Sequence, residues 1–237
     1  MSFFDYSDGE TIFEGYMATN GDNKTKRPCV LVGHAWSGPS EHFNLIADNL
    51  AEKGIIGFAI DVYGKGVRGE VDGDNSHLMN PLMENRKLLR QRLLAAFNAA
   101  LKHPLVDKNR IAMMGHCFGG LCALDLARAN PRGLKGVISI HGGLSSPNLD
   151  RTIAIDSSVM VLHGWEDPMV PPNNVLDFTA EMKESKADWQ IHCYGNAMHA
   201  FTFVGADIPH LGIKYNEKAH RRSEQSIMNF LNEIFNA

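Results

Sequence analysis

Gly115, Cys117 and Gly119 form the pattern G-x-C-x-G. An apolar run, Ile111-Ala112-Met113-Met114, precedes it, and a stretch of helical periodicity from about Phe118 to Asn130 follows. A strand that turns sharply into a helix needs glycine on both sides, because backbone segments approach there more closely than a Cβ allows. The residue at the apex is thrown clear of the sheet, over a helix N-terminus whose unpaired N–H groups and dipole favour an anion. A thiol in that setting is acidified and becomes a nucleophile. The competing reading of Cys117 is a small buried apolar residue, the usual fate of a free cysteine. Partners elsewhere in the chain must decide between them.

A thiol nucleophile needs a base within hydrogen-bond reach, and the base needs an acid that fixes its tautomer. Open α/β sheets bind ligands beyond the carboxyl ends of their strands. The polar residues that follow each apolar run are therefore the candidates: His34, Asp61, Cys117, His141, His163, Asp167 and His199. The chain order nucleophile, acid, histidine selects Cys117, Asp167 and His199. Asp167 sits in a turn punctuated by Pro168, Pro171 and Pro172, which would hold a carboxylate rigidly; capping the next helix or turn is its alternative role. Asp61 precedes the nucleophile and suits a structural turn, and Glu166 would point the opposite way from its neighbour. His199 lies in Gly195–Phe201, where a mobile loop would swing the imidazole over Cys117; a surface histidine is the alternative. His116 is too constrained inside the turn to act as base, and His141 and His163 read as packing or pocket residues. An oxyanion would be held by the N–H of Phe118 and by one from the loop around Ala35-Trp36. Trp36, Tyr63, Trp165, Met198, Phe201 and Phe203 are candidates for an apolar pocket, or equally for core.

These residues must be carried by an alternation of strands and helices. Strands are expected over residues 10–18, Pro28–Gly33, Ile55–Asp61, Ile111–Met114, Gly136–Gly143, Val159–Gly164 and Asp188–Tyr194. Asn20-Gly21-Asp22-Asn23 reads as a turn. A helix with Phe43, Ile46, Ala47 and Leu50 on one face begins near Ser40 as N-cap, with Glu41 in its first turn, and stops at Gly54. Tyr63 to Asn80 reads as a long loop, of the kind that covers a site, and Met83 to Lys102 as one helix burying Leu89, Leu93, Ala96, Phe97 and Ala100. Further helices carry Val175, Phe178 and Met182, and finally Ile227, Phe230, Leu231, Ile234 and Phe235. Continuous apolar strands between helices predict an α/β fold with a mostly parallel sheet covered on both faces. With no linker, repeat or low-complexity tract, residues 1–237 read as one domain.

The composition narrows the function. The 237 residues carry a net charge of −4, and the basic residues are scattered apart from Arg221-Arg222, so no nucleic-acid interface is expected. No apolar stretch reaches membrane-spanning length. The acidic N-terminus lacks a leader pattern, and the four cysteines (29, 117, 122 and 193) show no C-x-x-C spacing, which predicts a reduced, cytoplasmic protein. None of the eleven histidines pairs at ligand spacing, so neither a metal site nor any other cofactor is expected.

Several separated motifs resemble the dienelactone hydrolase family: G-H-C-F-G-G (115–120), H-A-W-S-G (34–38), I-D-V-Y-G-K-G (60–66), H-G-W-E-D-P-M-V-P (163–171), M-H-A-F (198–201) and R-R-S (221–223). The resemblance implies an α/β-hydrolase fold with Cys117 as nucleophile, Asp167 as orienting acid and His199 as base. It also supports Trp36 and Phe118 as oxyanion donors. Two positions depart from the family pattern. Ala35 stands where a glutamate meets the resting thiol, and Phe203 stands where an arginine, four residues after the histidine, grips a substrate carboxylate. The expected activity is therefore hydrolysis of an uncharged, activated ester or lactone through a thioester. The alternatives are promiscuous aryl phosphotriester hydrolysis with the same residues, and a non-catalytic or redox-sensing thiol on the same fold. Monomer and homodimer stay open, as do roles for His34, Glu41, Asp61 and His141.

Overall fold

The computed structural model describes residues 2–21, 24–70, 73–147, 149 and 154–236. Eight strands form one sheet: β1 (Ser2–Ser7), β2 (Ile12–Ala18), β3 (Arg27–Gly33), β4 (Ile56–Ala59), β5 (Val106–His116), β6 (Leu134–Ile140), β7 (Ser158–Gly164) and β8 (Trp189–Tyr194). Their order is β1-β2-β4-β3-β5-β6-β7-β8. Pairing is parallel from β4 across to β8 and antiparallel at β1–β2 and β2–β4. The helices are α1 (Glu41–Glu52), α2 (Ser76–Glu84), α3 (Arg86–Lys102), α4 (Phe118–Ala129), α5 (Pro172–Glu184) and α6 (Glu217–Asn236). A small hairpin, β9 (Asp207–Ile208) and β10 (Ile213–Lys214), encloses a 3-10 turn at Pro209–Leu211.

Alternation along the central strands explains the two cores. Leu31, Ile111, Met113, Val137, Val159 and Val161 pack with residues of α3, α4 and α5. Val30, Val32, Ala112, Met114, Ile138, Ile140, Met160 and Leu162 face the other way, onto α1 and α6. Both faces are apolar because both are covered, as the strand composition implied.

Four features differ from the reading of the sequence alone. Residues 76–84 are helical, so the loop after β4 is shorter than expected. The single helix over 83–102 is interrupted at Asn85, whose backbone (φ −116°, ψ 72°) leaves the helix while its side chain accepts the Leu88 N–H and caps α3. Asparagine favours that role because its amide competes with helical hydrogen bonding. The edge strand β1 was unforeseen: Ser2-Phe3-Phe4-Asp5-Tyr6-Ser7 has one buried residue, Tyr6, and its pairing to β2 comes from the partner strand. Strand β5 starts at Val106, five residues before its apolar run. Within the expected turn at 20–23, Asp22 and Asn23 lie outside the described residues, as do Val71 and Asp72 of the expected loop at 63–80, while Met1 of the N-terminus and Ala237 also lie outside them. Ser40 precedes α1, but its side chain makes no cap hydrogen bond.

A largely buried ionic cluster joins α4 to α3 and α5. Arg86 grips Asp125 through two bonds of 2.6 Å. Arg128 reaches Asp125 at 3.2 Å and Glu181 at 2.9 and 2.7 Å. The guanidinium of Arg86 also donates to Ser145 O, and that of Arg128 to Ser145 O and Leu144 O, which pins the start of the loop after β6. Removing one member of such a cluster strands the others. Asp125→Ala is expected to destabilise the protein by about 3–5 kcal/mol, read as the shift in a denaturant or thermal unfolding midpoint. A loss below about 1 kcal/mol, the value of an exposed pair, would contradict it.

Candidate active site

The turn at Cys117 is as tight as the glycine spacing demanded. A Cβ on Gly115 would come within 2.1 Å of the Gly119 carbonyl oxygen, and one on Gly119 within 2.3 Å of Gly33 O. Cys117 itself has φ 55° and ψ −115°, a conformation in which a non-glycine residue is strained. Its N–H is tied to Ile140 O (3.0 Å) at the end of β6, and its carbonyl accepts the first helical N–H groups, from Gly120 and Leu121. The side chain is left half-buried at the mouth of α4.

Asp167 and His199 arrive from the loops after β7 and β8. His199 Nδ1 lies 2.8 Å from Asp167 Oδ2, both side chains buried. The second carboxylate oxygen accepts the Met169 N–H at 2.9 Å, and the Asp167 N–H donates to Gly164 O at 3.1 Å, so the acid is held on each side. The loop carrying His199, expected from the sequence to be mobile, is tied to the chain at His199 itself in this structure. His199 N–H donates to Gly212 O (2.9 Å) and its carbonyl accepts the Lys214 N–H (3.0 Å), a short bridge to β10.

His199 and the backbone N–H groups of Phe118 and Trp36 lie close enough to Cys117 to act on its pKa. Burial raises the thiol pKa. The His199 charge, its hydrogen bond and the two N–H donors outweigh that and bring it below the ordinary 9.0. Burial alone would lower His199; the Cys117 charge, the hydrogen bonds to Asp167 and Cys117 and the Asp167 charge raise it to about 10. The charged form of each group thus favours the charged form of the other.

The loop holding Trp36 is braced by His34, Asp61 and Tyr63. His34, buried, bonds Ala35 O through Nδ1 (2.7 Å) and accepts the Val62 N–H at Nε2 (3.3 Å). Those partners set the Nδ1–H tautomer, and burial keeps the ring neutral, with a pKa lowered to about 4. Asp61 accepts the N–H groups of Tyr63 (2.9 Å) and Gly64 (3.0 Å). The Tyr63 hydroxyl donates to Trp36 O at 2.9 Å while its ring stacks on Phe118, centroids 5.9 Å apart. Tyr63 thus ties the two N–H donors to one another. Tyr63→Phe keeps the stack and loses the tie; kcat on an aryl ester is expected to fall about 2- to 12-fold, the worth of one hydrogen bond, with KM little changed. An unchanged kcat would show that the loop holds itself.

The remaining candidates separate. Ala35, Trp36 and Met198 are half-buried, and Trp165 (43%) and Phe203 (40%) are exposed. Phe203 leans on His42 of α1, centroids 4.9 Å apart. Phe201 is a core side chain, fully buried against Tyr194 and His141, and lines no pocket. Glu41 is exposed. His116, His141 and His163 stay off the line of three residues; burial keeps all three below the usual histidine pKa. Among the described residues no His, Cys, Asp and Glu group has metal-holding geometry, and no helix is long and apolar enough to cross a membrane.

A mostly parallel sheet flanked by helices, turning at a G-x-C-x-G elbow, defines an α/β-hydrolase. Residues 13–235 match the sequence model of the dienelactone hydrolase family, and the chain belongs to that family, as a hydrolase of the lactone and ester type. It is 32% identical to a dienelactone hydrolase-like promiscuous phosphotriesterase from metagenomic libraries, with a TM-score of 0.89 over 99% of this chain and 98% of that one. An uncharacterized protein of Caenorhabditis elegans is 38% identical over 149 residues, 62% of this chain and 94% of its own. A protein of Aquifex aeolicus, provisionally named a carboxymethylenebutenolidase, is 28% identical over 193 residues, 79% of this chain and 80% of its own.

Proposed function

We propose that the chain is a cysteine-dependent hydrolase of uncharged, activated carboxylic esters or lactones, with Cys117 as nucleophile, His199 as acid and base, and Asp167 as orienting acid. One observation carries the reading: the buried Asp167–His199 pair, 2.8 Å apart, is delivered beside Cys117 at the mouth of α4, where each of His199 and Cys117 shifts the other's pKa. The thiolate attacks the carbonyl carbon, and the carbonyl π electrons move onto oxygen. The N–H groups of Trp36 and Phe118 hold that oxyanion in place of the sulfur they solvate at rest. Collapse expels the alkoxide or phenoxide, which takes the imidazolium proton, and leaves a thioester on Cys117. Neutral His199 then removes a proton from water, hydroxide adds to the thioester carbonyl, and the C–S bond breaks to return the thiolate beside the imidazolium. Backbone and side chains supply every step, so no cofactor is invoked.

Ala35 and Phe203 bring no charge to the two positions where the family pattern has glutamate and arginine, which favours an uncharged substrate over a carboxylate-bearing lactone. A free thiolate persists in a reducing compartment, in keeping with a cytoplasmic location. One domain, residues 1–237, holds the whole site. A p-nitrophenyl ester tests the reading: a burst of nitrophenol with an acyl mass increment on the Cys117 peptide is expected. Sustained turnover with no adduct on that peptide would sink it.

A second reading is hydrolysis of aryl phosphotriesters through a phosphorylated Cys117, favoured by the 32% identity to the promiscuous phosphotriesterase. Comparing kcat/KM for an aryl acetate and an aryl dialkyl phosphate ranks the two; a preference for the phosphate would put phosphotriester hydrolysis first.

A further inference from the structure

The backbone of the His199 turn is tied outward, to residues 212–216: besides the two bonds at His199, Phe201 O accepts the Asn216 N–H at 3.0 Å. Ala200 has φ 55°, so the chain bends sharply and under strain just after the base. On the inner side the His141 side chain reaches the turn. His141 Nε2 lies 2.9 Å from Thr202 Oγ1, buried, and the His141 ring meets the His199 ring in a T-shaped contact with centroids 5.1 Å apart. The same ring abuts Phe201 at 5.4 Å and His116 at 5.7 Å.

His141 carries two structural costs. Its φ of 39° lies in the left-handed region, and its Nδ1 is buried without a partner. Its N–H is bonded to Leu162 O at 2.8 Å, which fixes the backbone at 141 against the end of β7. An apolar ring at 141 would fill the space and remove the unpartnered Nδ1, but it would let go of Thr202. We propose that His141 is a positioning residue for the base: through Thr202 and its own ring face it fixes the His199 imidazole in register with Cys117. This rests on His199 being the base. His141 does this as a neutral ring, since burial and the neighbouring His199, His116 and His220 all oppose its protonation.

The test uses the full chain with His141→Asn, Thr202→Val, Thr202→Ser and the double variant. Asparagine tolerates the left-handed backbone and is too short to reach Thr202. For His141→Asn and Thr202→Val, kcat on an aryl ester is expected to fall roughly 10- to 100-fold, the effect of a misplaced catalytic group, with KM changed by less than about twofold. The ultraviolet thiolate band of Cys117 is expected to titrate at higher pH in both. Thr202→Ser, which keeps the hydroxyl, should restore both readouts, and the double variant should lose no more than the worse single one. Loss of thermal stability with an unmoved thiolate titration would overturn the proposal, as would additive losses in the double variant. If His141→Asn does not fold, the Thr202→Val and Thr202→Ser pair decides alone. A parent protein that turns over no ester would refute the hydrolase mechanism. The thiolate titration would still report whether His141 and Thr202 set the His199–Cys117 geometry.

Discussion

Replacing Cys117 with alanine is expected to lower kcat/KM on an aryl ester by at least about 10⁴-fold, while the folded state survives. The size follows from the proposed chemistry: without the sulfur no covalent intermediate forms, and only substrate binding and the Trp36 and Phe118 donors remain to act on water. Survival of the fold follows from the turn, which depends on Gly115 and Gly119 rather than on the thiol. Alanine keeps the Cβ, so the backbone at 117 meets no new overlap. The checks are steady-state kinetics beside a thermal unfolding curve. Activity within about tenfold of the parent would remove Cys117 from the mechanism, whatever the fold.

His199→Ala carries the second large effect, and it separates two consequences. The rate should fall about 10³–10⁴-fold for want of a proton carrier. Independently of turnover, the thiol pKa should move upward. Burial already pushes it up, and the variant keeps that push while losing the opposing charge and hydrogen bond. In the parent, the thiolate is present above its lowered pKa and vanishes as pH falls through it. The imidazolium is present until pH climbs through about 10. The ion pair therefore occupies the window between those two limits, and the rate should be flat there and drop on either side. Both shifts stabilise the folded state in the same window: the Cys117 contribution is lost at its acid edge and the His199 contribution at its alkaline edge. A thiolate band that titrates identically in His199→Ala and the parent would contradict the ion pair.

How much of this was legible in the sequence differs from residue to residue. The elbow was, because a glycine two places to either side of the cysteine has a steric meaning that coordinates express as overlaps of 2.1 and 2.3 Å. The meeting of Asp167 and His199 was, because parallel strands bring all their following loops to one edge. The two-faced cores followed from apolar runs. Other features had no local signature. Arg86 and Asp125 stand 39 residues apart, and nothing near either one marks a buried pair. The break at Asn85 was hidden because apolar periodicity runs on both sides of it. Phe201 looked like pocket lining from its closeness in sequence to the base; which way a side chain faces in an irregular turn is decided by packing, in this case against Tyr194 and His141. The anchoring of His199 by Gly212 and Lys214 belongs to a hairpin too short for any pattern to announce.

A resting thiolate, as the proposed mechanism requires, would have a chemical liability apart from catalysis. An anionic sulfur attacks peroxide readily, and Cys117 is only half-buried. Its first product would be a sulfenic acid, which thiol reductants reverse; further oxygen atoms would make the loss permanent. Buried Cys29, whose pKa burial pushes far up, should be spared under the same treatment. Enzyme kept in air without reductant is accordingly expected to lose ester hydrolysis in step with oxidation at position 117, and early addition of dithiothreitol should recover it.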